Sequence, residues 1–406
     1  MSQSYSAIWL DHTGDVIASR STYVALCKID PYLKRFRNLD ECSNYITRLE
    51  ETDGKAVLIV SSRTVHSLET LLQASVQLSQ IDSVHLLSAT VPVSGNDTSQ
   101  CQEAYDVYPD LQSLCTGLTG MQKIPRQSTS VRDALRHDFA INSVAAATPI
   151  PTHVSMTTTS LPASSKRQEA QFMYSYFIRE ILNTLKSDEA EMVEFCRGKC
   201  AGDETQLALV QEFQDYYEAK DAVFWYTRDS FLYRILNKAL REQDIEVLYS
   251  IRYYIKDLHR QLSELHAAQR ETSSEIETVY RGQLMHNEDF DTKIRTNVGG
   301  FFSVSSFLST TRKKELASEV YAGDGQHWKE LQSVLFQIDI DKRVNKFPYA
   351  DISAESIFEE EESETLFSMG AVFRIQSAEE EDKGVWLVKL VLTGEEDKEL
   401  RVGLSH

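Results

Sequence analysis

Apolar and polar positions change period three times along the chain. In roughly the first hundred residues, short continuous apolar runs alternate with stripes of helical spacing. Ala7 to Leu10 reads as a short strand. Leu39 to Leu49 reads as a helix, with Leu39, Cys42, Tyr45, Ile46 and Leu49 on one side. Ala56-Val57-Leu58-Ile59-Val60 is apolar at every position, the pattern of a parallel strand buried on both faces. Val65 to Leu78 returns to helical spacing through Val65, Leu68, Leu72 and Val76. Val84-His85-Leu86-Leu87 reads as another strand and Leu111 to Leu118 as a final helix. Strands alternating with helices predict a small, doubly wound α/β domain over residues 1–124.

Residues 125–165 read as a linker with one short helix near Val131 to Phe139. Four of the eight prolines lie there, at Pro125, Pro149, Pro151 and Pro162. Thr157-Thr158-Thr159-Ser160 adds small polar residues that bury little. Residues 166–270 are helical in pattern. Phe172, Tyr176, Ile181 and Leu185 keep helical spacing, as do Leu207, Val210, Phe213 and Tyr217. Phe231, Leu232, Ile235, Leu236 and Leu240 form a third stripe; Val247, Ile251, Tyr254, Ile255, Leu258 and Leu262 form a fourth. Phe224-Trp225-Tyr226-Thr227-Arg228-Asp229 is an aromatic cluster between two of these helices, suited to hinge packing or to covering a nucleotide. From residue 271 strand patterns dominate: Ile276–Val279, Phe301–Leu308, Val334–Ile340, Val372–Gln376 and Val385–Leu392. The last two flank a polar loop of hairpin length. Helices followed by strands predict an α+β domain over 166–406.

The 406 residues carry a formal net charge of -19. That argues against a nucleic-acid binder, whose affinity rests on a basic surface. It suits solubility and basic protein partners. No run is long and apolar enough to span a membrane, and no basic-then-apolar start resembles a signal peptide. The expectation is a cytoplasmic protein that works on no membrane. Six scattered cysteines fit reduced thiols, and Cys196 with Cys200 lacks the further ligands of a zinc site, so no metal is expected.

The N-terminal pattern resembles a response-regulator receiver or flavodoxin-like domain. Asp11 ends the first strand, where a receiver carries part of its acidic pocket. Ser61 and Ser62 follow the central strand, where the phosphoacceptor aspartate of a receiver stands. The domain therefore reads as a degenerate protein-interaction module, with His85 a packed histidine.

Three motifs carry chemistry in the last third. Tyr280-Arg281-Gly282 ends a strand. Ser309-Thr310-Thr311 follows an apolar run. Glu362-Ser363-Glu364 closes an acidic loop before Leu366-Phe367. Alone, Arg281 reads as an ordinary surface ion pair, the Ser-Thr run as a half-exposed strand, and the glutamates as a solvated loop. Together they suit cleavage of the N-glycosidic bond of NAD. A guanidinium fork holds the diphosphate, a hydroxyl orients a carboxylate, and the carboxylate faces the positive charge that develops at the anomeric carbon. In an extended segment Glu362 and Glu364 face the same way, so one serves the sugar and the other the incoming nucleophile.

In this order and strand context the motifs resemble the mono-ADP-ribosyltransferases of the arginine-serine-glutamate class. The resemblance spans Lys166 to Leu404 and is strongest from Val279 to Ile375. It implies a helical lobe (166–270) followed by a catalytic core (271–406) of two small, roughly perpendicular sheets with NAD as co-substrate. It implies that Arg281 and Gly282 contact NAD, that Ser309 hydrogen-bonds Glu364, and that Thr310 supports the strand. Glu364 is the implied catalytic carboxylate, and Glu362 marks an arginine acceptor. Phe358 opens the loop where the family presents an aromatic to its target, and Tyr321, ahead of Trp328, is the candidate for stacking on nicotinamide. Ser-Thr-Thr departs mildly from the family's Ser-Thr-Ser. The expected activity is NAD-dependent transfer of ADP-ribose to an arginine-bearing target protein. Water as acceptor, giving an NAD glycohydrolase, and a catalytically silent scaffold are the alternatives.

Overall fold

The computed structural model describes residues 5–12, 16–49, 55–62, 80–88, 105–120, 141–144, 163–270, 276–321, 330–341, 347–357, 363–381 and 384–393. These fall into two compact units. One is Met1–Gln127 with Glu212–Tyr217; the other is Ser128–Gln211 with Glu218–His406. Among the described residues, no helix is long and apolar enough to cross a membrane.

The first unit holds a five-stranded sheet. Its strands are β1 (Tyr5–His12), β2 (Lys34–Phe36), β3 (Lys55–Ser62), β4 (Ile81–Leu87) and β5 (Asp106–Tyr108), in the order β2-β1-β3-β4-β5. Every pairing is parallel. The order reverses between β1 and β3, which is the flavodoxin-like form of a doubly wound sheet. Helices Val16–Ile29, Leu39–Leu49 and Leu111–Thr119 accompany it. The apolar run in β3 is buried at every position from Ala56 to Val60, as a parallel strand covered on both faces requires. Asp110 opens the last helix by accepting the Ser113 N–H at 2.8 Å. His85 is fully buried and within hydrogen-bond distance of Tyr108 and Ser83. The helix expected at Val65 to Leu78 lies outside the described residues.

At the carboxyl ends of β1 and β3, Trp9 donates its indole N–H to Ser61 Oγ at 2.8 Å. Arg35 pairs with Asp11 at 3.2 Å and with Asp215 at 3.4 Å. The Tyr216 ring stacks on Tyr23 with centroids 4.4 Å apart, and the Arg35 guanidinium covers it at 4.1 Å. Tyr23 donates to Glu212 at 2.5 Å. The strand ends, where ligands bind in open α/β sheets, are thus lined by the chain's own aromatic and acidic side chains.

The second unit begins earlier than the pattern suggested. Residues 141–144, expected in a linker, form β6 (Ile141–Val144), which pairs with β8 (Phe301–Val304). Four residues among prolines carry too little pattern to read as a strand; the partner supplies the ladder. Helices Ala163–Thr184, Glu189–Lys199, Ala222–Thr227, Phe231–Glu242, Ile245–Ser250 and Arg252–Arg270 follow, and Glu204–Tyr216 starts in this unit, its residues from Glu212 on belonging to the first unit. The first of these buries Ile178, Arg179 and Leu182, whereas Ile181, expected on its apolar side, is 53% exposed. Arg179 is the reason: its guanidinium donates to the Met369 carbonyl at 3.2 Å and faces the Phe347 ring, so a cation takes part of the buried face.

The strands of this unit connect in the order β11-β12-β9-β7-β10-β14-β13-β8-β6. They are β7 (Ile276–His286), β8, β9 (Leu308–Thr311), β10 (Leu331–Asp341), β11 (Tyr349–Asp351), β12 (Glu364–Phe367), β13 (Val372–Glu380) and β14 (Val385–Leu392). β13 and β14 form the expected hairpin. The single strand expected over Phe301–Leu308 is two strands, because the chain leaves β8 at Ser305 and joins different neighbours as β9. Instead of two separate sheets, the β9-β12-β11 group joins the rest through one residue pair, Tyr280 with Thr311. The core lies under β7 and β10, where Val279, Val334, Phe336, Ile338 and Ile340 pack with Phe302 and Phe373.

Candidate active site

Three strands place the first side chains. On β7, Val279, Arg281, Gln283 and Met285 share the core-facing side. Arg281 is 6% exposed in that otherwise apolar row. Its Nη1 donates to the Ser309 carbonyl at 2.8 Å, tying β7 to β9 close to their single paired residues. On β9, Ser309 and Thr311 point one way and Thr310 the other. Thr310 Oγ1 donates to the Thr365 carbonyl at 2.7 Å, a bond that supports the strand pair. β12 runs antiparallel to β9 and sets Glu364 opposite Thr311 and Leu366 opposite Ser309. In that register the Ser309 hydroxyl donates to Glu364 Oε1 at 2.5 Å.

Glu364 is 5% exposed. Burial pushes its carboxyl up to about 7, and Asp351 adds to the rise, while the Ser309 hydroxyl and the Arg281 charge pull it down. The Glu364 carbonyl accepts from Ile352 N–H at 2.9 Å, so its backbone is fixed toward β11 as well. Asp351 itself is held by Arg312, which also pairs with Glu277, both at 2.6 Å.

The helices supply a second wall. Tyr226 lies 5.6 Å, ring to ring, from both Tyr233 and Phe307. Burial raises the Tyr226 phenol well above its usual range; Tyr233 and Glu364 add to that, and the Asn237 hydrogen bond and Arg281 oppose it. Tyr233 is pushed up to about 12 by burial, opposed by Arg281 and reinforced by Glu364. Both phenols are therefore neutral donors close enough to feel the site's charges. Thr227 Oγ1 accepts the Ile357 N–H at 3.1 Å, anchoring the chain just before the acidic loop on this same wall.

The structure thus brings Arg281, Ser309, Thr310 and Glu364 together, with Gly282 beside them on β7, paired with Leu335. Glu362 and Phe358 lie outside the described residues, as does Trp328. Tyr321 ends a short π-helix, Leu316–Tyr321, and its side chain is outside what the structure describes. One premise fails: Ser363 is not extended but has φ +44°. Strand alternation therefore stops at Ser363 and no longer places Glu362 on the face of Glu364.

Sequence reasoning missed Tyr233 and Asn237. They are four residues apart in Phe231–Glu242, and Asn237 is buried. An asparagine inside the apolar stripe of a helix was the available signal. The aromatic cluster, suited to hinge packing or to covering a nucleotide, is buried at Phe224, Trp225 and Tyr226, and Tyr226 lies on the site wall. Among the described residues, no group of three or more His, Cys, Asp or Glu side chains could hold a metal ion.

No protein-family model matches the chain, and no curated protein sequence matches it. Among the solved structures to which the chain is similar are bacterial ADP-ribosyltransferases and exoenzymes. Vis of Vibrio splendidus, an ADP-ribosyltransferase, is 18% identical over 53% of this chain and 91% of Vis, with a TM-score of 0.33. The ADP-ribosyltransferase HopU1 of Pseudomonas syringae pv. tomato is 23% identical over 51% of this chain and 98% of HopU1, with a TM-score of 0.31. The C3 exoenzyme of Clostridium limosum is 12% identical over 50% of this chain and 94% of C3, with a TM-score of 0.32. At such scores the likeness leaves function to be argued from the site.

Proposed function

We propose that the protein is an NAD-dependent mono-ADP-ribosyltransferase that moves ADP-ribose from NAD to arginine on a target protein. The observation that supports this most is the buried Glu364 carboxyl held by the Ser309 hydroxyl, on a strand pair that Arg281 ties to β7. A buried carboxylate with one oxygen fixed by a hydroxyl is oriented before substrate arrives. Its negative charge answers the oxocarbenium-like charge that appears as the N-glycosidic bond breaks. Nicotinamide leaves with the bonding pair and becomes neutral. Arg281 is the cation for the NAD diphosphate, and Tyr226 and Tyr233 offer neutral hydroxyls on the opposite wall.

Arginine is a poor nucleophile because it stays protonated. Glu362 orients its guanidinium and takes the proton released as the new carbon–nitrogen bond forms. NAD hydrolysis uses the same first step with water as acceptor, and is the second reading. The test is incubation of the full-length protein with NAD labelled in its ADP-ribose part and with polyarginine. Label on polyarginine supports transfer. Free ADP-ribose alone supports the hydrolase, and unreacted NAD contradicts both.

A further inference from the structure

The residue between the two glutamates sits in left-handed backbone. Ser363 has φ +44°, a region that residues other than glycine, asparagine and aspartate seldom occupy. Among the described non-glycine residues, Gln243 shares the feature, and Gln243 closes the helix Phe231–Glu242 as its left-handed cap. Ser363 stands where the chain enters β12, one residue before Glu364.

The surroundings of Glu364 are fixed from both sides. The Ser363 carbonyl accepts from Arg312 N–H at 3.2 Å, on the continuation of β9. The Glu364 carbonyl accepts from Ile352 N–H at 2.9 Å, on the continuation of β11. Glu364 lies opposite Thr311, with its carboxylate on Ser309. Between these fixed points, the direction in which the chain reaches Glu364 is set by the backbone of Ser363. An extended Ser363 would carry the β9–β12 ladder on past Arg312. The left-handed turn ends it there, and β12 begins with the glutamate.

We propose that Ser363 is a positioning residue for the nicotinamide-releasing step, acting through its left-handed backbone and not through its hydroxyl, to set Glu364 on Ser309. The proposal rests on the NAD-cleavage reading. Strain held at one residue next to the chemistry is a known use of such conformations.

Substitutions separate backbone from hydroxyl. Ser363→Thr keeps the hydroxyl but is β-branched, which φ > 0 disfavours most. Ser363→Gly and Ser363→Asn lose the hydroxyl and tolerate the turn. In the full-length protein, Ser363→Thr is expected to lower kcat for nicotinamide release by about tenfold or more, with KM for NAD changed by less than about threefold. Glycine and asparagine variants are expected within about twofold of wild type. A threonine variant with wild-type kcat overturns the proposal. So does equal loss in the glycine and asparagine variants, which would assign the role to the hydroxyl. Should the threonine variant melt below the assay temperature, the other two variants decide alone. Titration of the Glu364 carboxyl by carbon NMR on labelled glutamate reads the same point without NAD. It should stay near about 7 in wild type and the asparagine variant and rise in the threonine variant, which loses the Ser309 hydrogen bond that lowers it. An unchanged titration in the threonine variant overturns the proposal. A wild type that releases no nicotinamide contradicts the NAD reading and leaves this titration to decide on Ser363.

Discussion

Each unit of the molecule buries an arginine beside carboxylates, and the two do so in opposite ways. In the first unit Arg35 meets Asp11 and Asp215 directly, under the Tyr216 ring. Burial and the nearby Arg37 lower the Arg35 pKa, and the two carboxylates raise it again. Charge is answered by charge, which is the arrangement of a structural cluster. In the second unit Arg281 donates to a backbone carbonyl, and Glu364 receives a serine hydroxyl. Burial then carries Glu364 to about 7. A group held away from its preferred protonation state in a walled site is one that chemistry can use. The contrast shows why an acidic residue at a strand end does not by itself make a site: Asp11 is matched, and Glu364 is poised.

The sharpest break between the two clusters is Glu364→Gln. It should lower nicotinamide release by roughly 100-fold or more, with NAD affinity nearly unchanged, because the charge matters most in the transition state. It should also stabilise the fold at about pH 8. The unfolded carboxyl titrates at about 4.5 and the native one at about 7, so between those values the native state holds more protons and stability falls as pH rises. Above that window the full cost, up to about 3 kcal/mol, is present, and glutamine removes it. Thermal melting at about pH 8 and about pH 4 checks the sign: a gain at the higher pH only. Loss of turnover with loss of stability would make Glu364 structural, like Asp11.

Glu362→Gln should lower transfer to polyarginine by at least about tenfold while NAD hydrolysis largely survives. Both products measured in one reaction decide it; equal loss would place Glu362 in NAD cleavage itself. Tyr233→Phe removes one hydroxyl from the second wall and should cost about fivefold in kcat/KM, the worth of roughly one hydrogen bond. A neutral result would leave Tyr233 as packing alone. Arg35→Ala should change kcat by less than about twofold, yet lower stability by about 2 kcal/mol or more, since it removes the guanidinium that pairs with the buried Asp11. Denaturant melts and NAD turnover on the same sample test both halves.

Where one residue type repeats with a clear period, the sequence was a good guide. The apolar run Ala56–Val60 has the pattern of a strand buried on both faces, and the alternation of such runs with helical stripes gave the doubly wound class of the first unit, though not its strand order. The juxtaposition of Arg281, Ser309 and Glu364 was legible because three polar motifs interrupt apolar strands. Other features leave no periodic trace. β2 and β5 are three residues each with none of them buried, and β6 takes its ladder from β8. The break between β8 and β9 lies in Ser305-Ser306-Phe307, a stretch that is itself buried. Glu362 was placed on the face of Glu364 because extended chain was assumed, and one backbone angle at Ser363 undoes that.

In the proposed function Glu364 works as a buried carboxylate whose ionisation is shifted upward. The pH dependence of kcat/KM for nicotinamide release, measured on the full-length protein, tests it most directly. Only the ionised form can answer the developing positive charge, so activity should climb with pH up to about 7 and level off above. A rate already level at about pH 5, where an ordinary glutamate is ionised, or one that falls as pH rises through about 7, would contradict the account.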